Sequence, residues 1–273
     1  MIVGFGRMGG ALALGLQRAG WPVSVFPRSG ASLRRAVELG IPIADHDALR
    51  DAQVCLFAVP DAAVSTVASQ MVLDLGLSTA LVHCAGSLDL RVFGDSPIVA
   101  RRMRGSFHPL VAVSDPRDAL QGHAAAIAAT GRPLLATLRR MADDLSLLPI
   151  EVPEAGRAAY HAGAVLAAGG LVALLSAAVD AFAEAGVPAD DALRALVPLS
   201  RSALRGVQER GLARGLTGPV PRGDLPVVRA HLAALPPEIG ALYRQLSLRA
   251  LALCGGQLTA ETQSALERLL RTP

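Results

Sequence analysis

Neither lysine nor asparagine occurs anywhere in the chain, so all 26 basic residues are arginine. Without lysine there can be no Schiff base and no lysine proton donor. Without asparagine there is no glycosylation sequon. Aromatic residues make up only 3% of the 273, with one Trp and two Tyr, so alanine, leucine and valine must build the core that a 52% hydrophobic content supplies. The cysteines Cys55, Cys84 and Cys254 are odd in number and far apart, with no C-x-x-C pair. Such spacing excludes a zinc site, and no metal is expected. It suits thiols packed as small apolar groups in a reducing compartment. No basic segment precedes an apolar stretch at the N-terminus as in a signal peptide, and a cytoplasmic location is expected. A net charge of +3 is too small and too dispersed for a nucleic-acid footprint.

Long apolar runs are scarce as well. One stretch, residues 162–179, carries no charge over 18 residues. That is near the lower length limit for a membrane span. Its wealth of Ala and Gly and its flanks, His161 and Asp180, favour a closely packed helix, with no membrane partner.

What is present is alternation. Short apolar runs over 2–5, 22–26, 53–60, 79–86, 98–103 and 124–129 read as strands, the third and fourth buried on both faces. Helical stretches at 8–18, 32–39 and 62–73 lie between the earlier ones. This pattern predicts an α/β fold, a Rossmann-type doubly wound parallel sheet. After Pro149 the character changes, and helices over 154–185, 190–210, 226–235, 237–254 and 259–271 predict an all-helical C-terminal domain. The expected domains are 1–150 and 151–273, the second serving substrate binding and homodimer formation.

The segment "MIVGFGRMGG" opens the chain. Gly4, Gly6 and Gly9 follow a strand and open a helix, the context that a dinucleotide loop needs. Gly4 permits the tight turn, Gly6 admits a pyrophosphate, and Gly9 lets helix and strand pack closely. Phe5, Arg7 and Met8 complete the loop, whose helix N-terminus offers amide donors. An NAD site usually places Asp or Glu at the end of the second strand; Phe26 stands there instead. Arg28 and Ser29 follow, 19 and 20 residues past Gly9. A guanidinium can grip a 2′-phosphate bidentately and Ser29 can add a hydroxyl donor, so the expected cofactor is NADP(H). Ala58, Val59 and Pro60 end another strand and should flank the cofactor, with Asp61 either a helix N-cap or a ligand contact. Ala85 and Gly86, followed by Ser87 as a substrate contact, should approach the nicotinamide. Only three residues precede Gly4, whereas a first strand usually has about five or six. The expectation is an upstream start or a clipped strand.

Hydride transfer also needs a proton donor. Of six histidines, His108 is placed in an "HPL" turn on the cofactor side, and His161 follows Tyr160 near the start of the long helix. Either Tyr160 or His161 could donate a proton to a carbonyl or imine. Adjacent helical residues point about 100° apart, so one of the two is expected to face the pocket. In "GPVPRGD", Arg222 could clamp a substrate carboxylate, and Asp224 could cap the next helix or orient Arg222. His231 falls seven residues past Asp224, on the same helical face.

The segments "GSFHPL" (105–110), "AAYHAGAVLA" (158–167) and "LTGPVPRGDLPVVRAHLAAL" (216–235) resemble a group of predicted oxidoreductases. These join a Rossmann-like domain to a helical C-terminal domain of unknown function and are distant relatives of pyrroline-5-carboxylate reductase and ketopantoate reductase. The resemblance covers nearly the whole chain. It implies a reductase whose three segments converge near the nicotinamide and whose substrates are mostly unassigned; the glycine loop, Arg28, His108 and the Tyr160–His161 pair lead to the expectation of a small keto acid or cyclic imine as substrate. The chain departs from the group at Gly169, where Asn is usual, at Ala85, where Ser is usual, and at Val227, where Thr is usual. Those lost polar groups keep open an alternative, a dinucleotide-binding sensor or partner protein without turnover.

Overall fold

The computed structural model describes residues 1–272. Two compact units divide at Ala168 and Gly169. The first is built on a seven-stranded sheet. Its elements are β1 (Ile2–Val3), α1 (Arg7–Arg18), β2 (Val25–Phe26), α2 (Gly30–Glu38), α3 (His46–Asp51), β3 (Val54–Phe57), α4 (Val64–Met71), β4 (Ala80–His83), α5 (Pro97–Ala100), β5 (Arg104–Leu110), β6 (Ala124–Ala129), α6 (Arg132–Asp144), β7 (Leu148–Glu151) and α7 (Arg157–Ala167). The strand order is β2-β1-β3-β4-β5-β6-β7. Pairing is parallel throughout except between β5 and β6, which run antiparallel. The order reverses at β1, which opens a crevice at the carboxyl ends of β1 and β3, where open α/β sheets bind ligands.

The two faces of the sheet are covered differently. On one, Leu12 and Leu16 of α1 and Leu134 and Leu138 of α6 pack with Phe107 and Ile127. On the other, Val64, Val67 and Met71 of α4 pack with Phe57, Leu81 and Phe93. Each fully buried leucine in this core contributes about 1.5–3 kcal/mol of hydrophobic stabilisation. Under α4, the buried Arg102 donates to the carbonyls of Val72, Leu75, Gly76 and Thr79. It thereby satisfies acceptors that the helix end and the following loop would otherwise leave unpaired.

Several sequence expectations shift here. Residues 98–103 do not form a strand. Pro97, pre-set for a first helical position, starts the short turn of α5, and the strand begins at Arg104. His108 therefore lies on β5, opposite Ala126, and not in a turn. The sheet is mixed, not wholly parallel. The strand β7 and the helices α3 and α6 went unread, since β7 is a half-exposed edge strand without a clean apolar run. The first unit also runs past the expected boundary at 150, to residue 168, because α7 packs against the strand ends. β1 has two residues: Gly4, at φ +93°, turns the chain away after Val3.

The second unit holds α8 (Gly169–Glu184), α9 (Ala189–Gly215), α10 (Leu225–Ala234), α11 (Pro237–Leu253) and α12 (Ala260–Arg271). Val220, Val228, Leu251, Leu266 and Leu270 form its core. The expected helix over 154–185 is interrupted at Ala168 (φ −107°, ψ −80°), which separates α7 from α8. A break at Gly211, φ +76°, divides α9. One run, Glu154–Glu184, is long and apolar enough to cross a membrane by length and composition. The sequence expectation was a helix buried within a domain or a dimer; in the single chain Val165, Leu166 and Val172 are each more than half exposed.

Candidate active site

The loop between β1 and α1 is shaped by close backbone approach. A Cβ on Gly4 would strike the Ala58 carbonyl oxygen at 2.6 Å, and one on Gly9 would fall on the Gly4 carbonyl oxygen. At Gly6 the opposite holds: nothing lies within 4 Å, and Gly6 is the N-cap of α1 with no side chain to bond its amides. The first turn of α1 thus has no side-chain cap for its amides, and a favourable helix dipole lies behind them. These residues fit a dinucleotide pyrophosphate. The Phe5 side chain is core, so that residue can offer a ligand only its backbone. Arg28 is exposed and has no hydrogen-bond or ion-pair partner among the described residues. The Ser29 hydroxyl is committed elsewhere: it caps α2, accepting from the Ser32 amide at 3.2 Å in a reciprocal capping box. Ala58, Val59 and Pro60 end the neighbouring β3, as expected. Asp61 does not cap the following turn; its carboxylate accepts the Ser87 hydroxyl at 2.9 Å and so ties the loops after β3 and β4 together.

The chemistry-bearing residues gather around Gly86, just past β4. A Cβ there would meet His108 Cε1 at 2.8 Å and Nε2 at 2.9 Å, and His161 Nδ1 closer still. His108 comes from β5, and Tyr160 and His161 from α7. The Tyr160 hydroxyl and His108 Nδ1 are hydrogen-bonded at 2.8 Å. Their rings meet edge-on with centroids 5.8 Å apart, and the His161 ring meets His108 in the same manner at 5.9 Å. The expectation that only one of Tyr160 and His161 faces this site does not hold. His108 projects between them, so both sides of the 100° angle are in contact with it.

Burial sets the protonation of this cluster. It pushes His108 down to about 4, with help from the neighbouring His161 and the cationic Arg157. It pushes His83, fully buried on β4, to about 4 as well, again with Arg157 assisting. It raises Tyr160 to about 12, with Arg157 acting against the rise. Near neutral pH the site therefore holds neutral imidazole at His108 and a protonated phenol. If Nδ1 of His108 carries its proton, it donates to the Tyr160 oxygen and leaves the phenolic proton free to be given away.

Sequence reasoning missed Arg157 and Ser106, and it placed His83 at the end of the strand nearest the nicotinamide without giving it a role. His83 and Ser106 are register partners on β4 and β5, both fully buried with unpaired polar side-chain atoms. For Arg157 a signal existed: it stands three and four residues before Tyr160 and His161, on the same helical face. Arg222 and Asp224 belong to the second unit. There Asp224 caps α10 by accepting from the Val227 amide at 3.3 Å, and it forms no ion pair with Arg222. His231 Nδ1 and the Tyr243 hydroxyl are hydrogen-bonded at 2.9 Å.

A Rossmann-type crevice with a glycine loop, followed by a helical unit, is an architecture that can seat a dinucleotide. Residues 1–82 match the family described as NADP oxidoreductase, coenzyme F420-dependent, and residues 123–250 match the domain of unknown function DUF2520. The chain is thus similar to an NADP-oxidoreductase family over its first 82 residues and to a domain of unknown function over 123–250, neither match reaching half of its length. A search of the curated proteins finds no match. Among solved structures, a Bacteroides fragilis protein classed as an NADP oxidoreductase is 24% identical, with a TM-score of 0.71 over 91% of this chain and 96% of its own. The 1-pyrroline-5-carboxylate reductase of Streptococcus pyogenes is 17% identical, with a TM-score of 0.60 over 98% and 95%. The reductive aminase of Aspergillus terreus, in complex with NADPH and ethyl levulinate, is 20% identical, with a TM-score of 0.58 over 99% and 98%. At these identities the likeness concerns the fold.

Proposed function

We propose that this protein is an NADPH-dependent reductase of a small keto acid or cyclic imine. The observation that carries the reading is the hydrogen-bonded Tyr160–His108 pair packed on Gly86 at the carboxyl ends of β4 and β5. This is the end of the sheet at which the glycine loop opens. The bound dinucleotide would supply the hydride. The residues of the chain do the rest: Gly4, Gly6 and Gly9 seat the pyrophosphate, Arg28 grips the 2′-phosphate, and Tyr160 gives a proton to the reduced oxygen or nitrogen. His108 keeps the Tyr160 oxygen oriented. Ser87 remains a candidate substrate contact. The reductive aminase shown with NADPH supports the choice of cofactor and the carbonyl or imine substrate class. A second copy of the chain is proposed to cover the exposed Val165, Leu166 and Val172, giving a homodimer in the cytoplasm.

Fluorescence titration with NADPH and NADH tests the cofactor assignment. One charge-assisted phosphate contact is worth about 1.5–3 kcal/mol, so NADPH should bind about 10- to 150-fold more tightly than NADH. Arg28→Ala should remove that preference. Equal affinity for the two cofactors in the parent protein refutes the role of Arg28. Turnover is sought on a panel of keto acids and cyclic imines, where Tyr160→Phe should cost about 10²- to 10⁴-fold. Cofactor binding with no consumption across the panel favours the sensor reading instead.

A further inference from the structure

Arg157 is the bulkiest of the fully buried side chains, 1% exposed, and it lies in the first turn of α7. A buried guanidinium normally requires a carboxylate or a full set of acceptors. This one has neither. Its Nη2 donates to the Ala85 carbonyl at 3.2 Å, while Nε and Nη1 have no hydrogen-bond partner. The nearby carboxylates are engaged elsewhere: Glu154 accepts the Leu90 amide at 2.7 Å, and Asp89 pairs with Arg91. What Arg157 does face is the site. Tyr160 and His161 follow it on the same side of α7, and the carbonyl it holds belongs to the residue before Gly86, on which His108 and His161 pack.

We propose that Arg157 is the positioning residue of this site: it fixes the Ala85–Gly86 turn that seats His108 and His161, and its unpaired charge makes Tyr160, not His108, the group that releases the proton. A cation close to His108 disfavours a second positive charge there, so the imidazole stays neutral. The same cation favours the negative charge left on Tyr160. When the phenolic O–H bond breaks, the proton passes to the oxygen or nitrogen of the substrate, whose carbon takes the hydride of the reduced nicotinamide. The electron pair stays on the phenolate oxygen, beside the guanidinium, until solvent returns a proton. The groups facing His108 are Arg157, Tyr160 and His161 from α7, His83 from β4 and Asp61 from the loop after β3. Those facing Arg157 are Glu154, Asp89, Tyr160, His83 and His108. Burial lowers the affinity of the guanidinium for its own proton without neutralising it, since arginine stays charged in proteins.

The catalytic half of this proposal rests on the reductase reading; the electrostatic half does not. NMR titration of ¹⁵N-labelled histidines in the intact chain separates them, with His108 and His83 assigned through single-residue variants. In Arg157→Met both midpoints should rise from about 4, His83 more than His108, while staying below the ordinary histidine value because burial remains the larger cause. In Arg157→Lys, which keeps the charge but loses the guanidinium fork, they should stay within half a unit of the parent, on the order of the scatter of such measurements. Unmoved midpoints in Arg157→Met, or equal rises in both variants, overturn the assignment. If the methionine variant does not fold, Arg157→Gln against Arg157→Lys gives the same comparison. Where turnover is found, Arg157→Met should lower kcat at least tenfold with KM for NADPH within twofold, and Arg157→Lys should recover part of it. A search that finds no turnover defeats the reductase reading, and the histidine midpoints still decide the electrostatic role.

Discussion

Acid should unfold this protein in a pH range where most proteins hold firm. His83 and His108 are both held at about 4, below the ordinary histidine value of about 6.5. Between those values the unfolded chain takes up protons that the folded chain refuses. The stability these groups contribute is therefore complete above pH 6.5 and falls as pH drops toward 4. Going from pH 7.5 to 5, each histidine costs about 2 kcal/mol and the pair about 4 kcal/mol, on the order of a third or more of a typical folding free energy. Carboxylates interfere little, since the shifted ones, Asp89, Asp115 and Asp118, all lie below their ordinary value. The assay is urea unfolding at pH 7.5, 6 and 5, for the parent, His83→Leu and His108→Gln. The parent should lose about 4 kcal/mol over this range and each variant about 2 kcal/mol, whatever its starting stability. A flat parent profile, or a variant as steep as the parent, refutes the claim that these rings are buried neutral.

Replacing Arg102 with Met should leave the carbonyls of Val72, Leu75, Gly76 and Thr79 short of a donor and cost about 2–4 kcal/mol in chemical denaturation. Gly9→Ala places a methyl group on the Gly4 carbonyl and should abolish dinucleotide binding in fluorescence titration while the far-ultraviolet circular dichroism is retained. Burial pushes the Cys55 and Cys84 thiols up to about 12 and raises Cys254 as well, so at pH 8 thiolate is scarce. A thiol reagent should label the native chain slowly at that pH and all three cysteines promptly in denaturant.

The glycine loop was legible because its constraints are local: a turn after a strand, then a helix, each with a residue type that few alternatives satisfy. The helix ends were legible for the same reason, as at Gly186 and at Pro237. The antiparallel part of the sheet was not. His108 was read as part of a turn because proline suggests one, yet Pro109 sits in β5 opposite Ala125, a pairing decided by the distant β6. Tyr160 and His161 were each quoted as candidates, but their joint contact with His108 depends on where α7 docks, which periodicity along one helix does not report. Arg157 escaped notice because a lone arginine in sequence gives no sign of burial. Ser29 was read as a ligand contact from its place beside Arg28 after the second strand, and its hydroxyl in the structure caps α2.

The brevity of β1 has a mechanical consequence. It is the second strand in from the edge and is paired over only two residues on each side, with Ile2 and Val3 facing Val25 and Phe26 of β2 and Leu56 and Phe57 of β3. The arm beyond this seam, β2 and α2, carries Arg28. A ligand spanning the glycine loop and Arg28 would bridge the seam, and its binding free energy would be added to the cost of opening it. Backbone amides of the arm should then exchange with solvent readily in the free protein and become protected as the dinucleotide concentration rises. On this account the cofactor acts as a clasp for the sheet as well as a reagent.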